Sequence, residues 1–117
     1  MTSILLVDDN QDAAQTTSAL LQLSDHEVHC ASSAREALDF LDEHPEIQVV
    51  VSDIRMPDVD GFDLFRVLRH RAPTLPIVLI TGQPLVDEDQ IPKGATIVTK
   101  PFSIGQLQKA ISACLPR

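Results

Sequence analysis

A doubly wound α/β domain on a five-stranded parallel sheet is the architecture this sequence predicts, and two patterns predict it. Short apolar runs rich in β-branched residues alternate with segments whose apolar residues recur at helical spacing, the signature of repeated βα units. The runs are near-continuous rather than alternating in polarity, as strands covered by helices on both faces require. With 117 residues there is room for one packed core, so a single domain is predicted over 1–117, and any output module would lie outside this chain.

The predicted strands are Ser3 to Val7, Glu27 to Ala31, Gln48 to Ser52, Ile77 to Ile80 and Thr96 to Thr99. Between the first two, Ala13, Thr17, Leu20 and Leu21 share a helical face; Ala34, Ala37, Leu38 and Leu41 do so in the next helix, and Ile104, Leu107, Ile111 and Leu115 in the last. Ser32 or Ser33 with Glu36 suits a capped second helix, and Ser103 can cap the last one. The third helix should begin near Gly61 and stop before Pro73. The fourth connection is irregular. Pro84 can open a helix, but Pro92 turns Ile91 away from helical geometry, so a short or missing fourth helix is expected.

A net charge of -8, with nine Lys and Arg residues outnumbered by acids, argues against direct nucleic-acid binding, which needs a basic face. The cluster Arg66, Arg69, His70 and Arg71 reads as a solvated helix end. No apolar run is long enough to span a bilayer, and Met1 leads straight into a strand rather than a signal peptide, so a cytoplasmic protein without membrane contact is expected. Cys30 and Cys114 have neither zinc-site spacing nor disulfide density and are expected to be buried small hydrophobes. His26, His29 and His44 are expected at ordinary surface or rim positions.

The informative charges sit where apolar strands end. Asp8 and Asp9 follow the first strand, Asp53 follows the third, Thr81 ends the fourth and Lys100 follows the fifth. With strand order 2-1-3-4-5, the first and third strands are neighbours at the topological switch point, and ligands bind outside the carboxyl ends of the strands there. Three close carboxylates repel one another unless a cation compensates, and Mg2+ suits oxygen donors while retaining several waters. An anionic base with an ammonium and a hydroxyl beside it is a phosphoryl-transfer arrangement, and Asp53, between the acidic pair and the lysine, is the best candidate nucleophile. Taken alone, Asp8-Asp9-Asn10 could equally be a helix N-cap region, and Thr81-Gly82 plain turn chemistry.

Four segments in order carry a resemblance over essentially the whole length: Leu6-Val7-Asp8-Asp9-Asn10, Ser52-Asp53-Ile54-Arg55-Met56-Pro57 with Gly61, Leu79-Ile80-Thr81-Gly82, and Thr99-Lys100-Pro101-Phe102. The chain resembles the receiver domain of bacterial two-component response regulators, which implies a flavodoxin-like fold. The resemblance further implies that Asp53 accepts a phosphoryl group from a phosphohistidine on a sensor histidine kinase or phosphotransfer protein. Asp9, Asp53 and the backbone carbonyl of Arg55 would ligate Mg2+, Asp8 would act largely through bound water, and Lys100 and Thr81 would contact the phosphoryl oxygens. It also implies a cis Lys100-Pro101 bond.

Two departures fall on the output side. Ile97 stands where receivers commonly carry an aromatic residue, three positions before the lysine, and Thr81 and Lys100 are nineteen apart (100 minus 81), a few residues fewer than the family pattern. Arg55 and Gln83 occupy positions that flank the phosphoryl group in the family. The resemblance implies either an isolated receiver or the amino-terminal piece of a longer protein with a C-terminal output domain. Two rivals to the phosphorylated switch are a phosphorylation-independent interaction module and a Mg2+-dependent aspartyl phosphatase of the haloacid dehalogenase type. The phosphatase class expects its second aspartate two residues after the nucleophile, whereas this chain has adjacent Asp8-Asp9.

Overall fold

The computed structural model describes residues 2–56, 59–82 and 95–115. Five strands are described: β1 (Ser3–Val7), β2 (Glu27–Ala31), β3 (Val49–Asp53), β4 (Ile77–Thr81) and β5 (Thr96–Thr99). They form one parallel sheet in the order β2-β1-β3-β4-β5, as predicted. The helices among the described residues are α1 (Gln11–Gln22), α2 (Ala34–Glu43), α3 (Gly61–Arg71) and α4 (Ile104–Cys114). The stunted helix expected between β4 and β5 falls outside the described residues.

Successive strand residues point to opposite faces, and that alternation divides the core in two. Leu5, Val7, Val50 and Leu79 pack with Ala34, Ala37, Leu64, Phe65 and Leu68 on the face covered by α2 and α3. Ile4, Leu6, Val51, Val78 and Ile80 pack with Ala14, Leu21, Leu107 and Ile111 on the face covered by α1 and α4. The central strands β1, β3 and β4 are buried almost throughout, whereas β2 is exposed at Glu27 and Cys30. No helix among the described residues is long and apolar enough to cross a membrane.

Two sequence-based expectations are corrected. Cys30 is exposed rather than buried, because β2 is the sheet edge and its thiol opens onto a polar hollow shared with Gln11, Gln15 and Glu36. Leu20 is also 39% exposed, because the core line of α1 runs through Ala14 and Leu21, seven residues apart, leaving Leu20 to one side. Cys114 is half-buried, its Sγ 3.1 Å from the Thr96 hydroxyl.

Caps set the helix starts. Asn10, Ser33, Asp60 and Ser103 each accept a hydrogen bond from a backbone N–H in the first turn. The serine pair before α2 divides the work: Ser33 caps the helix, while the Ser32 hydroxyl donates to the Glu36 carboxylate at 2.7 Å. At α4 the capping box is complete, with Gln106 N–H donating to Ser103 Oγ at 3.1 Å and Ser103 N–H donating to Gln106 Oε1 at 2.7 Å. Ser103→Ala should therefore lower the unfolding free energy by about 1 kcal/mol. Urea denaturation checks this, and unchanged stability would remove the cap from the account. The basic end of α3 is internally occupied: the Arg69 guanidinium donates to the Pro73 and Leu75 carbonyls and lies 4.8 Å from the Phe65 ring centroid.

Candidate phosphoacceptor site

The switch point between β1 and β3 brings the acidic positions to one edge. Asp53 is the last residue of β3, in register with Ile80 of β4, and Thr81 of β4 pairs in turn with Thr99 of β5. Lys100 follows directly, its N–H donating to the Thr81 carbonyl at 2.7 Å, and the Lys100-Pro101 peptide bond is cis. The Lys100 ammonium donates to Asp53 Oδ2 at 3.1 Å across forty-seven residues of sequence. The other carboxylate oxygen, Oδ1, accepts from the Arg55 N–H at 3.2 Å. The Asp53 side chain is only 14% exposed, so this ion pair is partly shielded from solvent.

Asp8 and Asp9 differ although adjacent. Asp8 follows β1 directly, is buried, and donates its backbone N–H to the Ala31 carbonyl at 3.0 Å. Its Oδ1 accepts from the Asn10 N–H at 3.0 Å, while Asn10 itself caps α1. Asp9 is exposed. Burial pushes the Asp8 carboxyl above the ordinary aspartate range, the Asn10 N–H opposes that rise, and Asp53 and Asp9 add to it while Lys100 counters. Asp9, Asp53 and Lys100 thus all act electrostatically on Asp8, and the helix-cap reading applies to Asn10 alone.

The sign of the Asp8 effect is testable. Because its folded value lies above the unfolded one, the folded chain holds more protons between the two, so stability falls as pH rises through that window and the penalty is fully present at neutral pH. Asp8→Asn should raise the metal-free melting temperature at neutral pH by roughly 4 °C for each 1 kcal/mol relieved. The gain should vanish below the ordinary aspartate pKa. A variant that melts lower at neutral pH would contradict the assignment of Asp8 as a burial-strained carboxylate.

Among the described residues, no three His, Cys, Asp or Glu side chains stand together ready to hold a metal. The donor chemistry nevertheless suits a hard divalent ion that takes one or two carboxylates and keeps its waters: Asp8, Asp9, Asp53 and the Arg55 carbonyl are all-oxygen donors, and a cation would relieve the buried, repelled Asp8. Beside them opens a groove of about 760 Å3 lined by Asp9, Arg55, Met56, Asp60, Phe62 and Arg66. Thr81 is buried at the next strand end. Two residues quoted in the sequence motif, but given no role at the site there, contribute to it. Ser52, fully buried, donates its hydroxyl to the Asp53 carbonyl at 2.9 Å, and Gly61 packs its backbone against that same carbonyl. A polar residue inside an otherwise aliphatic strand was the one available signal for Ser52.

Comparison with known proteins agrees with this geometry. Residues 4–112 match the family model described as response regulator receiver domain. The chain is 34% identical over 116 residues to the regulatory protein AtoC of Escherichia coli, covering 96% of this chain and 25% of that protein. It is 35% identical over 121 residues to the virulence transcriptional regulatory protein PhoP of Salmonella typhimurium, covering all of this chain and 53% of that protein. This chain therefore spans between a quarter and about half of those relatives. Among solved structures, the chemotaxis protein CheY4 of Vibrio cholerae superposes with a TM-score of 0.89 at 32% identity, covering 98% of this chain and 99% of that one. A receiver domain from Clostridium thermocellum gives 0.89 at 30% identity over 97% and 94%. With the strand order, the strand-end charges and these matches in agreement, the chain belongs to the response regulator receiver domain family.

Proposed function

We propose that this domain is a phosphorylation-dependent switch in which Asp53 accepts a phosphoryl group from a phosphohistidine on a sensor histidine kinase or phosphotransfer protein. The observation that carries the reading is the Asp53–Lys100 pair at 3.1 Å, at the carboxyl edge of the sheet beside a buried second carboxylate. An Asp53 oxygen attacks phosphorus, the bond from phosphorus to the donor imidazole nitrogen breaks, and an acyl phosphate results. Lys100, already within hydrogen-bond reach, counters the charge that accumulates on the phosphoryl oxygens. Thr81 supplies a hydroxyl at the neighbouring strand end. Bound Mg2+, with Asp8, Asp9, Asp53 and the Arg55 carbonyl as its holders, would supply further neutralisation of phosphoryl charge. Water later hydrolyses the acyl phosphate, so the domain resets itself rather than turning over a substrate.

Incubation with Mg2+ and phosphoramidate followed by intact mass measurement tests the reading. A single phosphate adduct that forms only with the divalent ion is the expected result, and no adduct would sink it. The longer relatives AtoC and PhoP, both named as regulatory proteins, support an output domain beyond this chain. A second reading, an interaction module indifferent to phosphate, draws on Ile97 in place of the usual aromatic residue. Partner binding unaltered by the adduct would favour it.

A further inference from the structure

The peptide joining Asp53 to Ile54 is held from several directions at once. Its N–H donates to the Ile80 carbonyl at 2.9 Å, and the Ser52 hydroxyl donates to its carbonyl oxygen at 2.9 Å. Gly61 donates its N–H to the next carbonyl along, that of Ile54, at 2.8 Å. The Gly61 backbone also lies so close that a β-carbon there would come within 2.6 Å of the Asp53 carbonyl oxygen. Ser52 makes its bond with 0% of its surface exposed, directly after the wholly aliphatic run Val49, Val50 and Val51. A buried hydroxyl is costly unless it is bonded, and an aliphatic side chain would satisfy the packing of such a strand at least as well.

We propose that Ser52 is a positioning residue for phosphoryl acceptance, an inference that rests on Asp53 being the acceptor. Its hydroxyl fixes the peptide plane that follows Asp53. That plane sets where the Asp53 carboxylate stands relative to its two partners, the Lys100 ammonium at 3.1 Å and the Arg55 N–H at 3.2 Å. It also sets the direction of the chain entering Arg55. The competing account is local: a serine bonding the adjacent carbonyl only to satisfy itself, in which case its loss would change stability and nothing at the site.

Three variants separate these accounts: Ser52→Ala removes the hydroxyl, Ser52→Thr keeps it, and Ser52→Cys keeps the volume with a weak donor, guarding against a collapsed alanine variant. Two quantities are read, the rate of adduct formation with phosphoramidate at saturating Mg2+ and the amide hydrogen exchange of Ile54, Arg55 and Gly61. Ser52→Ala and Ser52→Cys should slow the reaction by roughly tenfold, since displacement of a reacting group by an ångström can cost up to about a hundredfold. Exchange at the three amides should rise, and Ser52→Thr should recover most of both. Unchanged rate and exchange in Ser52→Ala and Ser52→Cys would overturn the proposal, as would equal slowing by all three variants, which would make the effect one of packing. If the unaltered domain takes up no phosphate, the acceptor reading fails instead, and a positioning role for phosphoryl acceptance falls with it.

Discussion

Asp53→Asn is expected to abolish phosphate uptake and leave the domain folded. The asparagine keeps the shape of the side chain and a carbonyl oxygen for the Arg55 N–H, but an amide oxygen is far too weak a nucleophile to form the acyl phosphate. Loss of the Lys100 ion pair should cost little stability, because the Lys100 side chain is 39% exposed and such pairs contribute about 1 kcal/mol or less. The change also removes one of the charges that raise the Asp8 carboxyl, an offsetting gain. Intact mass after treatment with phosphoramidate and Mg2+ should show no adduct, alongside a melting temperature within a few degrees of the unaltered domain. An adduct that persists in this variant would move the acceptor elsewhere and dismantle the proposed chemistry.

Gly61→Ala should be the most damaging small substitution at the site. The added methyl group would meet the Asp53 carbonyl oxygen at 2.6 Å and the Ile54 Cα at 2.7 Å, both backbone atoms that cannot swing aside. Either α3 lifts away from the end of β3 or the peptide between Asp53 and Ile54 moves, and overpacking of this kind costs about 1 to 3 kcal/mol. Gly82→Ala is the matched comparison on the other flank, where the nearest atom is the Lys100 Cδ at 3.7 Å, an ordinary contact. Urea denaturation should show a clear loss for the first and a near-neutral second. Equal stability of Gly61→Ala and the unaltered domain would mean that the approach of α3 to β3 is not a constraint.

The strand-end charge cluster and the position of Ile97 lie on different parts of the sheet. Asp8 and Asp53 stand at the ends of the buried central strands β1 and β3, and the pairing of β4 with the edge strand β5 brings Lys100 to Asp53. Ile97, by contrast, is half-buried on β5, packed against the α2 and α3 side of the core. An aliphatic side chain there offers no large ring to exchange between buried and exposed positions. A coupling that operates in this domain must therefore use a different lever from the aromatic one.

The strands were legible in the sequence because most of them are short apolar runs, β3 and β4 being the richest in β-branched residues. β1, β2 and β5 begin and end where the pattern does, while β3 is shifted by one residue, to Val49–Asp53, and β4 runs one residue further, to Thr81. The extension comes from ladder partners, Ile80 and Thr99, that no local pattern contains. The same limit explains the misplaced residues. Leu20 satisfies a helical apolar period, yet the rotation of α1 about its axis is set by what β1 and β2 offer, so Leu21 is buried and Leu20 is not. Cys30 reads as part of an apolar strand but lies at an edge whose cover is incomplete.

Residue order alone thus determined the alternation of the described strands and helices, the serine caps of α2 and α4 and the placement of Asp8, Asp9, Asp53, Thr81 and Lys100 at strand ends, because those depend on periodicity and chain neighbours. The tertiary structure decided which of those charges touch, which carboxylate is buried, and that Ser52 and Gly61 hold the peptide between Asp53 and Ile54. Each of these is a distance between atoms brought together by strand register and helix packing, and hydrogen bonding and desolvation act on such distances, not on separation along the chain.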